Sequence, residues 1–231
     1  MIANLFRDER FCTTMTSHRL LMFLKYPLAG RTKTRLIPAL GPEGAAQLQR
    51  EMAEFLLEQL TYPKWQLDIY FTGSHLTDMQ AWLGQYQNYY PQSSGDLGER
   101  LCHGFRQTFQ TFPYAPQYAG QKVIAIGADC PEVGVRQIQQ AFRQLATHDV
   151  VIGPAQDGGY YLIGLRAHTP RLFQKIDWST PKVFSQTCQK AANLGLSIAY
   201  LETLSDIDRP EDLVIWERIK QYSLSVQPHV V

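Results

Sequence analysis

Apolar positions along the chain fall into two alternating patterns. Short, largely apolar or aromatic stretches recur at 20–25, 65–72, 86–90, 123–126, 149–154, 160–165 and 198–201, unbroken at 123–126. Stretches of this length predict strands, and the unbroken run suits a strand covered on both faces, as in a parallel sheet. Between them lie stripes at helical spacing: Ala45, Leu48, Met52, Phe55, Leu56 and Leu60; Leu101, Phe105, Thr108 and Phe109; Ile138, Ala141, Phe142 and Leu145; Leu213, Trp216 and Ile219. Each stripe predicts a helix with one buried face and carries no chemistry. Gly41-Pro42-Glu43 opens the first of these helices, since proline in a first turn needs no N–H partner. A short helix is expected over about 75–84, and another behind Ser179 or Thr180, with Pro181 in its first turn. Strands alternating with helices predict βαβ units and a mainly parallel sheet between two helical layers, a three-layer α/β/α sandwich.

The chain has 231 residues, enough for one sizeable core. Residues 18–222 are expected to form one domain, after a poorly ordered arm at 1–17 and before a tail at 223–231. The arm has no continuous apolar core and does not read as a signal peptide. Met15 is an alternative start. No apolar run approaches the ~20 residues of a membrane span. Net charge is +1, which argues against a duplex-binding surface. The four cysteines show no C-x-x-C spacing and the six histidines no H-x-x-x-H, so neither zinc nor a disulfide framework is expected. A reduced, cytoplasmic protein is the expectation. Cys130 reads as a small buried residue.

Polar residues gather where the predicted strands end. Asp129 follows the 123–126 run after Gly127-Ala128, with Pro131 behind it. In open α/β sheets ligands bind outside the carboxyl ends of strands. An N-cap for the next helix would explain Asp129 equally well. After the first strand, Lys25, Arg31, Lys33 and Arg35 place four cations in eleven residues around Gly30. Such a loop suits phosphates, lysine as a point charge and arginine as a fork; a solvated basic turn is the plain alternative. It is not a P-loop, because no glycine immediately precedes Lys33. Gly95-Asp96 precedes a helix, so Asp96 either caps it or meets a base or sugar. Asp157-Gly158-Gly159 is a strong turn signal that also makes a floor for a ligand. Trp178 is either a platform for an acceptor or a packed loop residue. Asp206 and Asp208 flank Ile207, which predicts one buried side chain and two carboxylates facing one way.

Five stretches occur in one order: K-x-P-x-x-G-x-x-K-T-R-L at 25–36, G-D-L-G-x-R at 95–100, I-G-A-D-C-P at 126–131, G-P-A-x-D-G-G-Y-Y-L-I-G at 153–164 and D-I-D-x-P-E-D-L at 206–213. In these the chain resembles a bacterial family of poorly characterised proteins, usually described as glycosyltransferases of the GT-A, nucleotide-diphospho-sugar transferase fold. It is similar, more distantly, to guanylyltransferases acting on molybdenum cofactor and on phospholactate. The resemblance spans about residues 20–215. It implies a nucleotide in the amino-terminal half, with Lys25, Gly30, Lys33 and Arg35 at the phosphates and Gly95 and Asp96 near the base or ribose. It implies an acceptor, a small molecule, glycan or lipid, bordered by Asp157, Gly158, Gly159 and Trp178. Asp129 and Asp208 match metal-ligand positions, for Mg²⁺ or Mn²⁺.

Sugar transferases of this fold commonly carry D-x-D. Here Ala128-Asp129-Cys130 holds a single aspartate, which keeps nucleotidyl transfer open. The first expectation is transfer from a nucleotide-sugar, with Asp157 deprotonating or orienting the acceptor hydroxyl and Lys33 at the leaving phosphates. The second is attack of a phosphorylated acceptor on a nucleoside triphosphate, with pyrophosphate leaving. The third is a nucleotide-binding module without turnover. A homo-oligomer is compatible with all three.

Overall fold

A computed structural model describes residues 18–85, 87–111 and 120–226. Strand β1 (His18–Lys25) leads through a 3-10 turn at Thr34–Leu36 to helix α1 (Ile37–Leu60). Strand β2 (Gln66–Thr72), helix α2 (Leu76–Leu83), strand β3 (Asn88–Pro91) and helix α3 (Leu97–Thr111) follow. Strand β4 (Lys122–Gly127), helix α4 (Val135–Gln144), the hairpin β5 (Val150–Pro154) and β6 (Tyr160–Leu165), helix α5 (Val183–Asn193), strand β7 (Ile198–Tyr200) and helix α6 (Leu213–Val226) complete the order.

The seven strands form one sheet in the order β3-β2-β1-β4-β6-β5-β7. Only β6 runs against its neighbours β4 and β5; the other pairings are parallel. The mainly parallel α/β sandwich expected from the apolar runs is therefore what the chain adopts. Alternate residues of β1 explain the layering: Leu20, Met22 and Leu24 enter one core with Leu56, Met79 and Ile138 from α1, α2 and α4, while Leu21 and Phe23 enter another with Leu101, Phe105 and Ala191 from α3 and α5. A third cluster joins Leu36, Leu48, Met52, Ile207 and Trp216 and fastens α6 to α1.

Some boundaries differ from the sequence reading for local reasons. The helical run of α1 breaks at Gly41, whose φ of 71° is left-handed, so the long helix restarts at Pro42 as its proline suggests. Helix α5 starts at Val183 rather than beside Thr180. Thr180 instead closes the preceding turn, its hydroxyl donating to the Asp177 carbonyl and accepting from the Lys182 N–H. The 1–17 arm, Tyr86, 112–119 and 227–231 lie outside the described residues. Among the described residues no helix is long and apolar enough to cross a membrane.

Candidate functional site

Two clefts open at one end of the sheet. One, of about 600 Å³, runs past Lys25, Arg31, Thr72, Gln92 and Arg100. The other, of about 580 Å³, runs past Asp157, Trp178, Thr180, Asp206 and Arg209. Arg35, Asp129, Asp208, Leu97, Tyr160 and Tyr161 line both. The clefts therefore meet at the carboxyl end of β4, where strand-end rules locate ligands.

Asp129 is not a helix cap. Helix α4 begins at Val135 with Gly134 as its cap, six residues on, so the carboxylate is left for other partners. Its side chain is about half exposed, 48%. The Asp129 carbonyl accepts from the Ile207 N–H at 2.8 Å. Ile207 is fully buried in the third cluster, worth roughly 1.5–3 kcal/mol of apolar burial. That anchor holds Asp206 and Asp208 beside Asp129. The alternation around Ile207 thus does what the sequence suggested: the isoleucine buries, and both aspartates line the second cleft.

Lys33 ties these pieces together. Its backbone is left-handed, φ 48° and ψ 46°, a conformation unusual for a residue with a Cβ. The turn sends the side chain inward, where it is 7% exposed. Its Nζ donates to the Ile207 carbonyl at 2.6 Å, and lies 4.0 Å from Asp129 Oδ2 and 3.9 Å from Asp208 Oδ1. Arg35 forms an ion pair with the other Asp208 oxygen. Both carboxylates thus converge on one cationic point.

The remaining loop cations divide. Lys25 donates to the Arg31 carbonyl at 2.6 Å, bracing the loop from within while still lining the first cleft. Buried Thr32 adds a second brace, its hydroxyl donating to the Tyr26 carbonyl. Arg31 is exposed on the cleft wall. Gly30 sits in the turn, outside the cleft lining.

Local structure gives three of the expected site residues roles of their own. Asp96 caps α3: its Oδ1 accepts from the Glu99 N–H, and Glu99 returns the bond to the Asp96 N–H, both at 2.9 Å. Neither Asp96 nor Gly95 lines a cleft; Leu97 and Arg100, from the same motif, do. Gly158 is a packing residue. A Cβ there would collide with the Pro181 backbone, and φ is 89°. Its neighbours Asp157 and Gly159 do line the second cleft, with one Asp157 oxygen accepting from the Gly159 N–H at 2.7 Å. Trp178 is both packed and available. Its indole lies over Gly98, where a Cβ would come within 2.5 Å of Nε1, and meets Tyr160 edge-on at 6.4 Å while lining the second cleft.

Asp206 was visible in the sequence but its role was not. Burial, then the Asp157 and Asp129 carboxylates, push its carboxyl up to about 6, against the pull of Lys33. Asp129, Asp157, Asp206 and Asp208 thus gather around buried Lys33 and exposed Arg35, with Arg209 on the same cleft wall. Cys130, beside Asp129, is buried, and burial pushes its thiol well above the usual range. It is inert, as its sequence context suggested.

Among the described residues no group of three or more His, Cys, Asp or Glu is arranged to hold a metal. Asp129 and Asp208 remain a fit for a hard cation of the Mg²⁺ type. Such ions commonly take one or two protein carboxylates and complete their shell with phosphates and water. The convergence of both carboxylates on Lys33 Nζ shows that they can address a single positive centre.

Comparison with known proteins fits this geometry. Residues 55–180 match the profile of the family described as "Uncharacterized protein conserved in bacteria (DUF2064)". A crystal structure from Desulfovibrio desulfuricans G20, provisionally assigned as a nucleotide-diphospho-sugar transferase, superposes with a TM-score of 0.83 at 31% identity. That superposition covers 93% of this chain and 92% of the other. A 3-phospho-D-glycerate guanylyltransferase from Phenylobacterium zucineum is 32% identical over 132 residues. The match spans about half of each protein, 54% of both. CMP:2-keto-3-deoxy-manno-octonic acid synthetase, solved with CTP, shares the fold at a TM-score of 0.53 and 12% identity, over 89% of this chain and 99% of its own.

Proposed function

We propose, from the premise that this chain belongs to the DUF2064 family of bacterial proteins, that it is a nucleotidyltransferase. Its donor is a nucleoside triphosphate and its acceptor carries a phosphate. The observation that carries this reading is the junction of two clefts at Lys33, Arg35, Asp129 and Asp208. A donor laid along the cationic loop brings its phosphates to that junction. An acceptor laid along Trp178 brings its own phosphate to the same place. The guanylyltransferase among the relatives supports this chemistry and suggests guanine as the base.

In the reaction an acceptor phosphate oxygen forms a bond to the donor α-phosphorus. The bond from that phosphorus to the α–β bridging oxygen breaks, and pyrophosphate leaves with the electron pair. Lys33 and Arg35 offset charge developing on the phosphates, and Arg31 and Lys25 hold the departing end. A phosphate nucleophile is already anionic and needs no base. Asp157 is then a partner for acceptor hydroxyls rather than a proton acceptor. Asp129 and Asp208 would hold Mg²⁺ or Mn²⁺, which, when bound, neutralises phosphate charge.

Sugar transfer is the second reading, favoured by the provisional assignment of the Desulfovibrio structure. Product analysis separates the two. The protein is incubated with Mg²⁺, each nucleoside triphosphate and a panel of phosphorylated acceptors that includes 3-phosphoglycerate, and pyrophosphate is measured. Release of pyrophosphate only when both substrates are present is the expected result. Nucleoside diphosphate released from a nucleotide-sugar, with no pyrophosphate from any triphosphate, would overturn the proposal.

A further inference from the structure

We infer that Gln92 is the residue that selects the base, by presenting a fixed hydrogen-bond acceptor to the N–H edge of guanine. The inference rests on the nucleotidyl-transfer reading and adds to it the residue that chooses the donor.

Gln92 follows β3 and lines the 600 Å³ cleft together with Thr72 and Arg100. Its main-chain N–H donates to the Phe71 carbonyl at 2.8 Å, which pins its backbone to the end of β2. Its side-chain nitrogen then donates twice, to the Tyr70 carbonyl at 2.9 Å and to the Leu24 carbonyl at 3.2 Å. An amide oxygen and nitrogen are hard to tell apart by shape alone. Here the partners decide: two main-chain carbonyls accept and cannot donate, so the group facing them must be the NH₂. Both amide hydrogens are thereby used. What remains is Oε1, with two lone pairs and no donor among the described residues. The side chain therefore cannot rotate its amide to suit whichever base arrives.

That rigidity makes it selective. Guanine presents two adjacent donors, N1–H and the N2 amino group, and one carbonyl oxygen can accept from both. Adenine and cytosine offer an amino group next to a ring nitrogen acceptor, which would face Oε1 lone pair to lone pair. Uracil offers one N–H between two carbonyls. A site that keeps a polar group unpaired when the wrong substrate enters discriminates strongly. Arg100, on the same cleft wall, has its Nε engaged by the Gly95 carbonyl at 3.0 Å. Its terminal nitrogens are suited to the guanine O6 on the same edge.

The test is equilibrium binding to the full chain, with Mg²⁺, of GTP, ITP and ATP. ITP lacks only the N2 amino group. For the unaltered protein the expected order is GTP tighter than ITP by about tenfold, the scale of one net hydrogen bond, and ATP weakest. In Gln92→Met the amino group on the ligand and its acceptor on the protein are one interaction, so the GTP/ITP ratio should collapse to near one. Equal binding of GTP and ITP by the unaltered protein overturns the inference without any variant. So does an unchanged GTP/ITP ratio in a folded Gln92→Met protein. Failure of all triphosphates to bind would overturn the nucleotidyl reading itself, whereas tight but base-indifferent binding overturns the role of Gln92 alone.

Discussion

The two ends of the sheet use the same kinds of charge for opposite purposes. At the amino ends of β1, β2 and β3, Arg19 Nη1 meets both Asp68 oxygens at 3.2 Å, and Asn88 adds a bond to Asp68 at 2.9 Å. The two ionic side chains are 11% and 3% exposed. Burial pushes the Asp68 carboxyl up even with Arg19 beside it, the mark of a pair that is costly to desolvate. At the carboxyl ends, four aspartates gather around buried Lys33 and exposed Arg35 and stay partly open to solvent. The first cluster is a buried ion pair with its own hydrogen-bonded support. The second lies open where the two clefts meet.

Breaking the closed pair should have the largest effect. Asp68→Ala removes a buried carboxylate from beside the Arg19 guanidinium and should lower unfolding free energy by about 3–5 kcal/mol. Urea denaturation measures this, and a loss below about 1 kcal/mol would show that the pair is not structural. Turnover by the folded fraction should be unchanged. Lys33→Ala tests the opposite end. It should reduce pyrophosphate release about 10²–10³-fold, the scale for removing one group that stabilises transition-state charge. Its unfolding midpoint should move far less than that of Asp68→Ala; a large destabilisation with undiminished turnover would reverse the two assignments.

Asp206 sharpens the contrast through pH. Its carboxyl titrates near 6 in the folded chain, above its ordinary value of 3.8. The folded state therefore binds the proton more readily than the unfolded state. The stability this contributes is complete below about pH 3.8 and is lost as pH rises through 6. Asp206→Asn should raise the melting temperature at pH 8 in the presence of a chelator and leave it unaltered at pH 3.5. A lower melting temperature at pH 8 would mean that Asp206 is held by attraction rather than crowded by its neighbours. The smallest effect is expected of Asp96→Ala, which removes a helix cap worth about 1 kcal/mol and should leave nucleotide affinity within twofold. A tenfold weaker nucleotide would return Asp96 to the ligand site.

Much of this was legible in the sequence because it is local. Apolar runs and helical stripes record which faces are covered, and those faces are the ones buried here. Lys33, Arg35, Asp129 and Asp208 stood out because each lies at a strand end or in a dense polar stretch. Other features depended on partners distant in the chain. Asp68 sits inside an apolar run and gave no sign of Arg19, 49 residues away. Gln92 acquires its meaning only when the ends of β1 and β2 bring the Leu24 and Tyr70 carbonyls to one side chain. Asp96 was equally good as cap or ligand on paper, and Glu99 decided it. The place of β6 between β4 and β5 is likewise a property of the whole sheet.

That reversed strand has a consequence for how such a protein can change. Because β6 runs backwards, the chain reaches the second cleft through a five-residue hairpin, 155–159, rather than through a helical crossover. Gly158 holds this tip against the Pro181 backbone, while Asp157 and Gly159 on either side line the cleft. The lining of the second cleft can therefore change by substitution at Asp157 or Gly159 while the strands that carry the first cleft keep their places.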